Sequence, residues 1–155
     1  MLPTMSAFQP QDPAFEARVR DSFDRQRIMH TLGARLGRVE PGVVEIELPY
    51  RADLTQQHGF LHAGVGATVL DSACGYAAFS LMPAGAEVLS IEFKINLLAP
   101  ARGERFIARA EVKRPGRTIS VCTADLIAIH DGEERVVSTM LGTMMCLMDR
   151  GDLRG

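Results

Sequence analysis

An α+β fold, with a curved antiparallel sheet wrapped around one long buried helix, is what the order of patterns along this chain predicts. Three observations carry that reading. An amphipathic helical stretch precedes a short hairpin, Leu61 to Met82 is almost wholly apolar and small, and the residues after Gly85 alternate like strands. The length of 155 residues suits a single domain with one core. Residues 13–149 are taken as that domain, with loose segments at 1–12 and 150–155.

Each element has a local justification. Asp12-Pro13 reads as an N-cap followed by proline at the first helical position. Phe15, Val19 and Phe23 then recur every four residues, and Ile28 and Leu32 continue the apolar face with a slip up to Gly33. Ala34–Val39, a Pro41-Gly42 turn and the alternating Val43–Leu48 make a hairpin that Pro49 ends. Tyr50–Leu61 is a loop, and the buried helix is expected from Ala63 to Met82, closed by Pro83-Ala84-Gly85. In the next strand Leu89, Ile91, Phe93, Ile95 and Leu97 are expected on one face, with Ser90, Glu92, Lys94 and Asn96 on the other. Phe106–Lys113, Thr118–His130 and Arg135–Met148 complete the set, joined by Arg114–Arg117 and by the hairpin signal Asp131-Gly132. One sheet cannot cover an apolar helix on every side, so the remainder is expected to bury against a second subunit.

Composition narrows the function classes. Apolar residues make up 46% and charged residues 23%, ordinary for a globular protein. The net charge of −2 gives no global attraction to nucleic acid or anionic membrane. The first residues lack the basic and apolar regions of a signal peptide, so a cytoplasmic location is expected. Leu61–Met82 is long enough to cross a bilayer, but Asp71 near its centre and its many Gly and Ala residues favour a buried helix. Cys74, Cys122 and Cys146 are odd in number and sit in apolar runs, as reduced core thiols do.

Asp71 is the residue that points to chemistry. A carboxylate inside such an apolar helix costs several kcal/mol unless it is paired or protonated, and catalysis is one use that justifies it. The bland alternative is a structural acid satisfied by Thr68 or Ser72. Nine residues earlier stands His62, followed by Ala63-Gly64, where a helix can begin. Free amides at a helix start can hold an oxyanion, so an acid/base site beside an oxyanion site is expected. His58 and His62 stand four apart, but Gly59 intervenes and no acid accompanies them, so no metal site is read there. Cys74 lies one turn after Asp71 without a base to form a thiolate, which makes it a packing residue. Lys113, Arg114 and Arg117 cluster at a turn that is either an ordinary solvated hairpin or a place for phosphates.

The run Gln56-Gln57-His58-Gly59-Phe60-Leu61-His62-Ala63-Gly64, then Leu70-Asp71-Ser72-Ala73, resembles the signature of hotdog-fold thioesterases of the phenylacetate-pathway (PaaI) type. Leu89–Pro100 and Gly116-Arg117 between two late strands fit as well, so the resemblance runs in order over residues 30–148. It implies a hotdog fold, hydrolysis of small to medium acyl-coenzyme A thioesters without metal or cofactor, and a site at the interface of a homodimer or homotetramer. Asp71 would match the catalytic acid, as base or nucleophile, and the Ala63 N–H the oxyanion donor. His62 would orient that turn, Gln56 would stand where the family often has Asn, and Ser90 would help position water. Gln57, Gly64, Arg114 and Arg117 are carried as substrate-binding candidates. The sequence reads His62-Ala63-Gly64 where the family commonly has His-Gly-Gly. The rival readings are a non-catalytic acyl-CoA-binding hotdog protein and a hydroxyacyl-thioester dehydratase.

Overall fold

The computed structural model describes residues 7–153. The N-terminal helical stretch starts at Phe15 instead of Pro13, because Asp12 folds the chain first. Its Oδ1 accepts the Ala14 N–H at 2.9 Å and its carbonyl accepts the Phe15 N–H at 3.1 Å. The stretch is also two helices, α1 (Phe15–Arg25) and α2 (Arg27–Leu32), broken where Gln26 turns to ψ 98°. That break accounts for the slip in the apolar pattern. Val19 and Phe23 are buried on α1, and Met29 and Leu32 on α2, whereas Ile28, expected on the apolar face, is 46% exposed.

The hairpin forms as expected, β1 (Arg35–Glu40) and β2 (Val43–Pro49), followed by a loop with one 3-10 turn at Ala52–Leu54. The long helix α3 spans Ala63–Phe79, three residues short of the expected end. After it come β3 (Glu87–Leu97), β4 (Arg105–Arg114), β5 (Ile119–His130) and β6 (Glu133–Leu147). The six strands form one antiparallel sheet in the order β1-β2-β4-β5-β6-β3, with α3 packed along it. This is the hotdog arrangement that the resemblance implies.

Small side chains let α3 sit close to the sheet. Val69, Leu70, Ala73, Cys74 and Ala77 are wholly buried against strand residues such as Ile46, Phe106 and Leu126. A Cβ added at Gly66 would lie 3.0 Å from Leu126 Cδ2, so a side chain at this crossing point would have to displace Leu126. Part of the second cover expected from another subunit comes instead from α1, where Phe23 meets Tyr76 at 5.9 Å between ring centroids.

The alternation predicted for β3 is broken by a bulge between Ser90 and Glu92. Residues directly opposite across a ladder share a face. Leu89 lies opposite Met145, Ser90 opposite the buried Met144, and Phe93 opposite Gly142, whose missing side chain faces Cys74 of α3. Leu89 and Phe93 therefore point to opposite faces, contrary to the strict period. Ser90 is turned inward, towards the helix.

Residues ahead of α1 are tied down more than their composition suggests. Phe8 packs on the core, Gln11 Nε2 donates to Leu81 O at 2.9 Å, and Asp12 pairs with Arg18 at 3.5 Å. Residues 150–153 end the described chain in an exposed turn where Arg150 pairs with Asp152. The remainder of the two segments read as loose, 1–6 and 154–155, lies outside the described residues. Among the described residues no helix is long and apolar enough to cross a membrane.

Arg18 closes the C-terminal end of α3. Its guanidinium donates to the carbonyls of Phe79, Met82 and Pro83 at 3.0, 2.8 and 2.6 Å and stacks 4.4 Å from the centroid of the Phe79 ring. Arg18→Met should remove these three donated bonds, leaving the Met82 carbonyl without a donor among the described residues, and cost about 2–4 kcal/mol. A urea titration should show a lower midpoint with an unchanged slope.

Candidate active site

The start of α3 is built by His62. It is the N-cap residue, and its Nδ1 accepts the Gly64 N–H at 2.8 Å, which puts the proton of a neutral ring on Nε2. Gly64 has no Cβ to crowd this ring; one added there would lie 3.1 Å from Nδ1. The His62 carbonyl accepts the Val65 and Gly66 amides, and the His62 N–H is used by Leu54 O. The exposed Ala63 N–H makes no hydrogen bond among the described residues. Ala63 is the first residue of α3 and has no positive φ, so alanine fits where the family commonly has glycine. A free donor at the positive end of a helix dipole is suited to a developing oxyanion.

Asp71 lies in the middle of α3 and is half-buried, not fully buried as its apolar neighbours suggest. Its Oδ1 accepts the Ser90 hydroxyl at 2.6 Å. The hydroxyls named as structural partners are engaged elsewhere, Thr68 with Gly64 O at 2.8 Å and Ser72 with Gln26 Oε1 at 2.8 Å. No ion pair forms on Asp71 among the described residues, so its carboxylate is held by one hydroxyl and open to solvent on the other side. It faces a cavity of about 350 Å³ that Ser72, Tyr76, Ser90, the α1 residues Ser22 and Arg25, and Gln26 at the α1–α2 corner also line.

Gln26, Tyr76 and Ser22 were not among the residues read as functional. Gln26 Nε2 donates to Tyr76 Oη at 3.3 Å, and Ser22 Oγ lies 3.3 Å from the same oxygen. Burial holds the Tyr76 phenol above its usual pKa, so it remains a protonated donor. The one trace of Gln26 in the sequence is the slip in the helical pattern beside it.

The oxyanion candidate is elsewhere. His62, Ala63 and Gln56 line a second cavity of about 500 Å³ with Phe60 and the Leu97–Ala101 segment. Gln56 Oε1 accepts the His58 N–H, which fixes the loop as a tight turn. Gln57 and His58 are exposed and line neither cavity. Ala63 and Asp71 are eight residues apart on one helix, an axial offset of about 12 Å. A single chain therefore does not bring acid and amide together, contrary to the adjacency expected from the sequence. A third cavity, of about 800 Å³, lies beside the β4–β5 turn and is lined by Arg117, Thr118, Gln11 and Cys146. Arg114 is exposed at the end of β4 and lines none of the three.

Cys74 is not a nucleophile in this setting. It is wholly buried, and desolvation pushes its thiol far above the usual range. Burial pushes Cys122 up to about 12.

The chain is similar to known thioesterases. A family model described as the thioesterase superfamily matches residues 58–135. The crystal structure of a thioesterase family protein from Silicibacter pomeroyi is 60% identical and superposes with a TM-score of 0.85, covering 86% of this chain and 98% of that one. Human acyl-coenzyme A thioesterase 13 is 31% identical over 87 residues, a match that covers 56% of this chain and 61% of that protein. The E. coli PaaI protein from the phenylacetic acid degradation operon shares the fold, with a TM-score of 0.79 at 17% identity over 88% of this chain and 96% of that one.

His62→Ala should remove the cap and destabilise the protein by about 1 kcal/mol, and His62→Asn should restore most of that. Chemical denaturation of the two variants beside the wild type measures both effects.

Proposed function

The chain belongs to the thioesterase superfamily, and from that premise we propose that it hydrolyses the thioester of small to medium acyl-coenzyme A molecules. The observation that carries the reading is the Asp71 carboxylate, oriented by Ser90, free of any bonded cation among the described residues, and open to a cavity. In the base route Asp71 takes a proton from water as the water oxygen attacks the thioester carbon. The C–S bond then breaks, and the protonated carboxyl returns its proton to the departing thiolate. In the nucleophile route an Asp71 oxygen attacks the thioester carbon, the C–S bond breaks to release the thiolate, and water hydrolyses the resulting anhydride, which regenerates the Asp71 carboxylate and supplies the proton the thiolate takes up. Both routes pass through a tetrahedral oxyanion, for which the Ala63 N–H is the donor and His62 the group that holds the turn.

A second copy of the chain supplies the missing adjacency. The Asp71 cavity is lined by the start of β3, through Glu87, Val88 and Ser90, and the Ala63 cavity by its end, through Leu97. β3 is an edge strand, and Ile91 and Leu97 on it are 49% and 60% exposed. Such an apolar edge invites pairing. Two copies joined antiparallel along β3 set the start of one strand beside the end of the other. Asp71 and Ser90 of each copy then face Ala63, His62 and Gln56 of the second, in two equivalent sites. In this reading Gln56 contacts the thioester or its water, while Arg117, beside the 800 Å³ cavity, is the cation placed for a coenzyme A phosphate. Three free, buried thiols suit a reducing, cytoplasmic setting.

Asp71→Asn should keep the fold and lower kcat by about 10²–10⁴. Thiol release from a panel of short, medium, long and aromatic acyl-CoA esters reads this directly, and wild-type rates in the variant would reject the role given to Asp71. Sedimentation at micromolar concentration should show a dimer or a dimer of dimers, and a stable monomer would reject the shared site.

A further inference from the structure

One wall of the Asp71 cavity is polar, and part of its polarity comes from an element outside the span that matches the family model. Residues 58–135 supply Asp71, Ser72, Tyr76 and Ser90, while Ser22, Arg25 and Gln26 come from the α1–α2 corner. We propose that this corner is the floor of the acyl pocket, and that Gln26 and Tyr76 select acyl groups ending in a hydroxyl over plain alkyl chains of equal length. The proposal rests on the thioesterase reading and adds the chemistry of the acyl group.

The hydrogen-bond inventory carries it. Ser72 donates to Gln26 Oε1, and Gln26 donates one of its two amide hydrogens to Tyr76 Oη. Between Tyr76 and Ser22 one hydroxyl donates to the other. The network therefore keeps one hydroxyl hydrogen and one amide hydrogen beyond its own needs, together with acceptor lone pairs on the hydroxyl oxygens. Water satisfies these groups while the cavity is open. A methyl terminus driven against them strips that water and returns nothing, whereas a terminal hydroxyl both donates and accepts. A site built to bond a hydroxyl rejects the analogue that lacks it, because its own polar groups are left unpaired.

Reach and charge agree. Tyr76 lies five residues beyond Asp71, about 7.5 Å along the helix, so a chain of about six carbons spans from the carboxylate to the floor. Asp71 lines the cavity, and Arg25, the one cation among its lining residues, is already paired with Asp21 at 2.8 Å. A terminal carboxylate would meet this negative balance, and a neutral hydroxyl does not.

The test is the ratio of kcat/KM for ω-hydroxyhexanoyl-CoA to that for hexanoyl-CoA, measured with one preparation so that the folded fraction cancels. The ratio should be about ten in the wild type, the worth of one matched hydrogen bond to a neutral group. It should fall towards one in Tyr76→Phe, which keeps the buried ring, and in Gln26→Leu. Equal kcat/KM for the two esters in the wild type would overturn the selection and leave the thioesterase reading intact. A ratio that persists in both variants would overturn the roles of Gln26 and Tyr76. No turnover of any acyl-CoA by folded protein would overturn the thioesterase reading and this inference with it.

Discussion

The close packing of α3 on the sheet is the constraint from which the rest follows. A helix that presents Gly66, Ala73, Cys74 and Ala77 to the sheet can approach it closely, and this proximity buries its length without bulky side chains. The same smallness leaves space along its flank. Asp71 can stand half-buried beside a cavity because its helical neighbours Ser72 and Gly75 do not fill that cavity. The sheet in turn is bent to the helix at one strand, where the bulge at Ile91 rotates Ser90 inward to meet the carboxylate.

Electrostatics follows the packing. Cys74, facing the sheet, is held protonated by desolvation, while Asp71, on the open flank, keeps a carboxylate oxygen in contact with solvent. The two residues are neighbours one turn apart, so their difference is set by burial: Cys74 is wholly buried and Asp71 half-buried. At the far end of α3 the carbonyls are neutralised by Arg18 from a neighbouring helix, and at its start the amides are divided between a cap and one free donor.

Much of this was legible in the chain. The strand order of events, the hairpin at Pro41-Gly42, the acid in the apolar helix and the turn at His62 all have local causes, which is why spacing and residue type reveal them. What was hidden has non-local causes. The bulge at Ile91 depends on how β6 pairs with β3, so period-two alternation mispredicted the faces of Leu89 and Phe93. The burial of Asp71 was overestimated because its neighbours in sequence are apolar while its neighbour in space is a cavity. Gln26 left only a slip in a helical pattern, since its partners Ser72 and Tyr76 are about fifty residues away. The eight-residue offset of Ala63 from Asp71 was visible in the sequence, but its meaning needed the two separate cavities.

That offset has a consequence for how such a protein can change. Acid and amide ride on one rod whose spacing is set by main-chain hydrogen bonds, at about 1.5 Å per residue, and not by the side chains around it. Substitution in α1, in the Gln56 loop or along the sheet can reshape the walls of either cavity without altering the distance between the two ends. Only an insertion or deletion within nine consecutive positions, Ala63 to Asp71, can alter it. The spacing within one copy is thereby fixed by α3 alone, while any meeting of acid and amide across two copies depends on the strands that would pair.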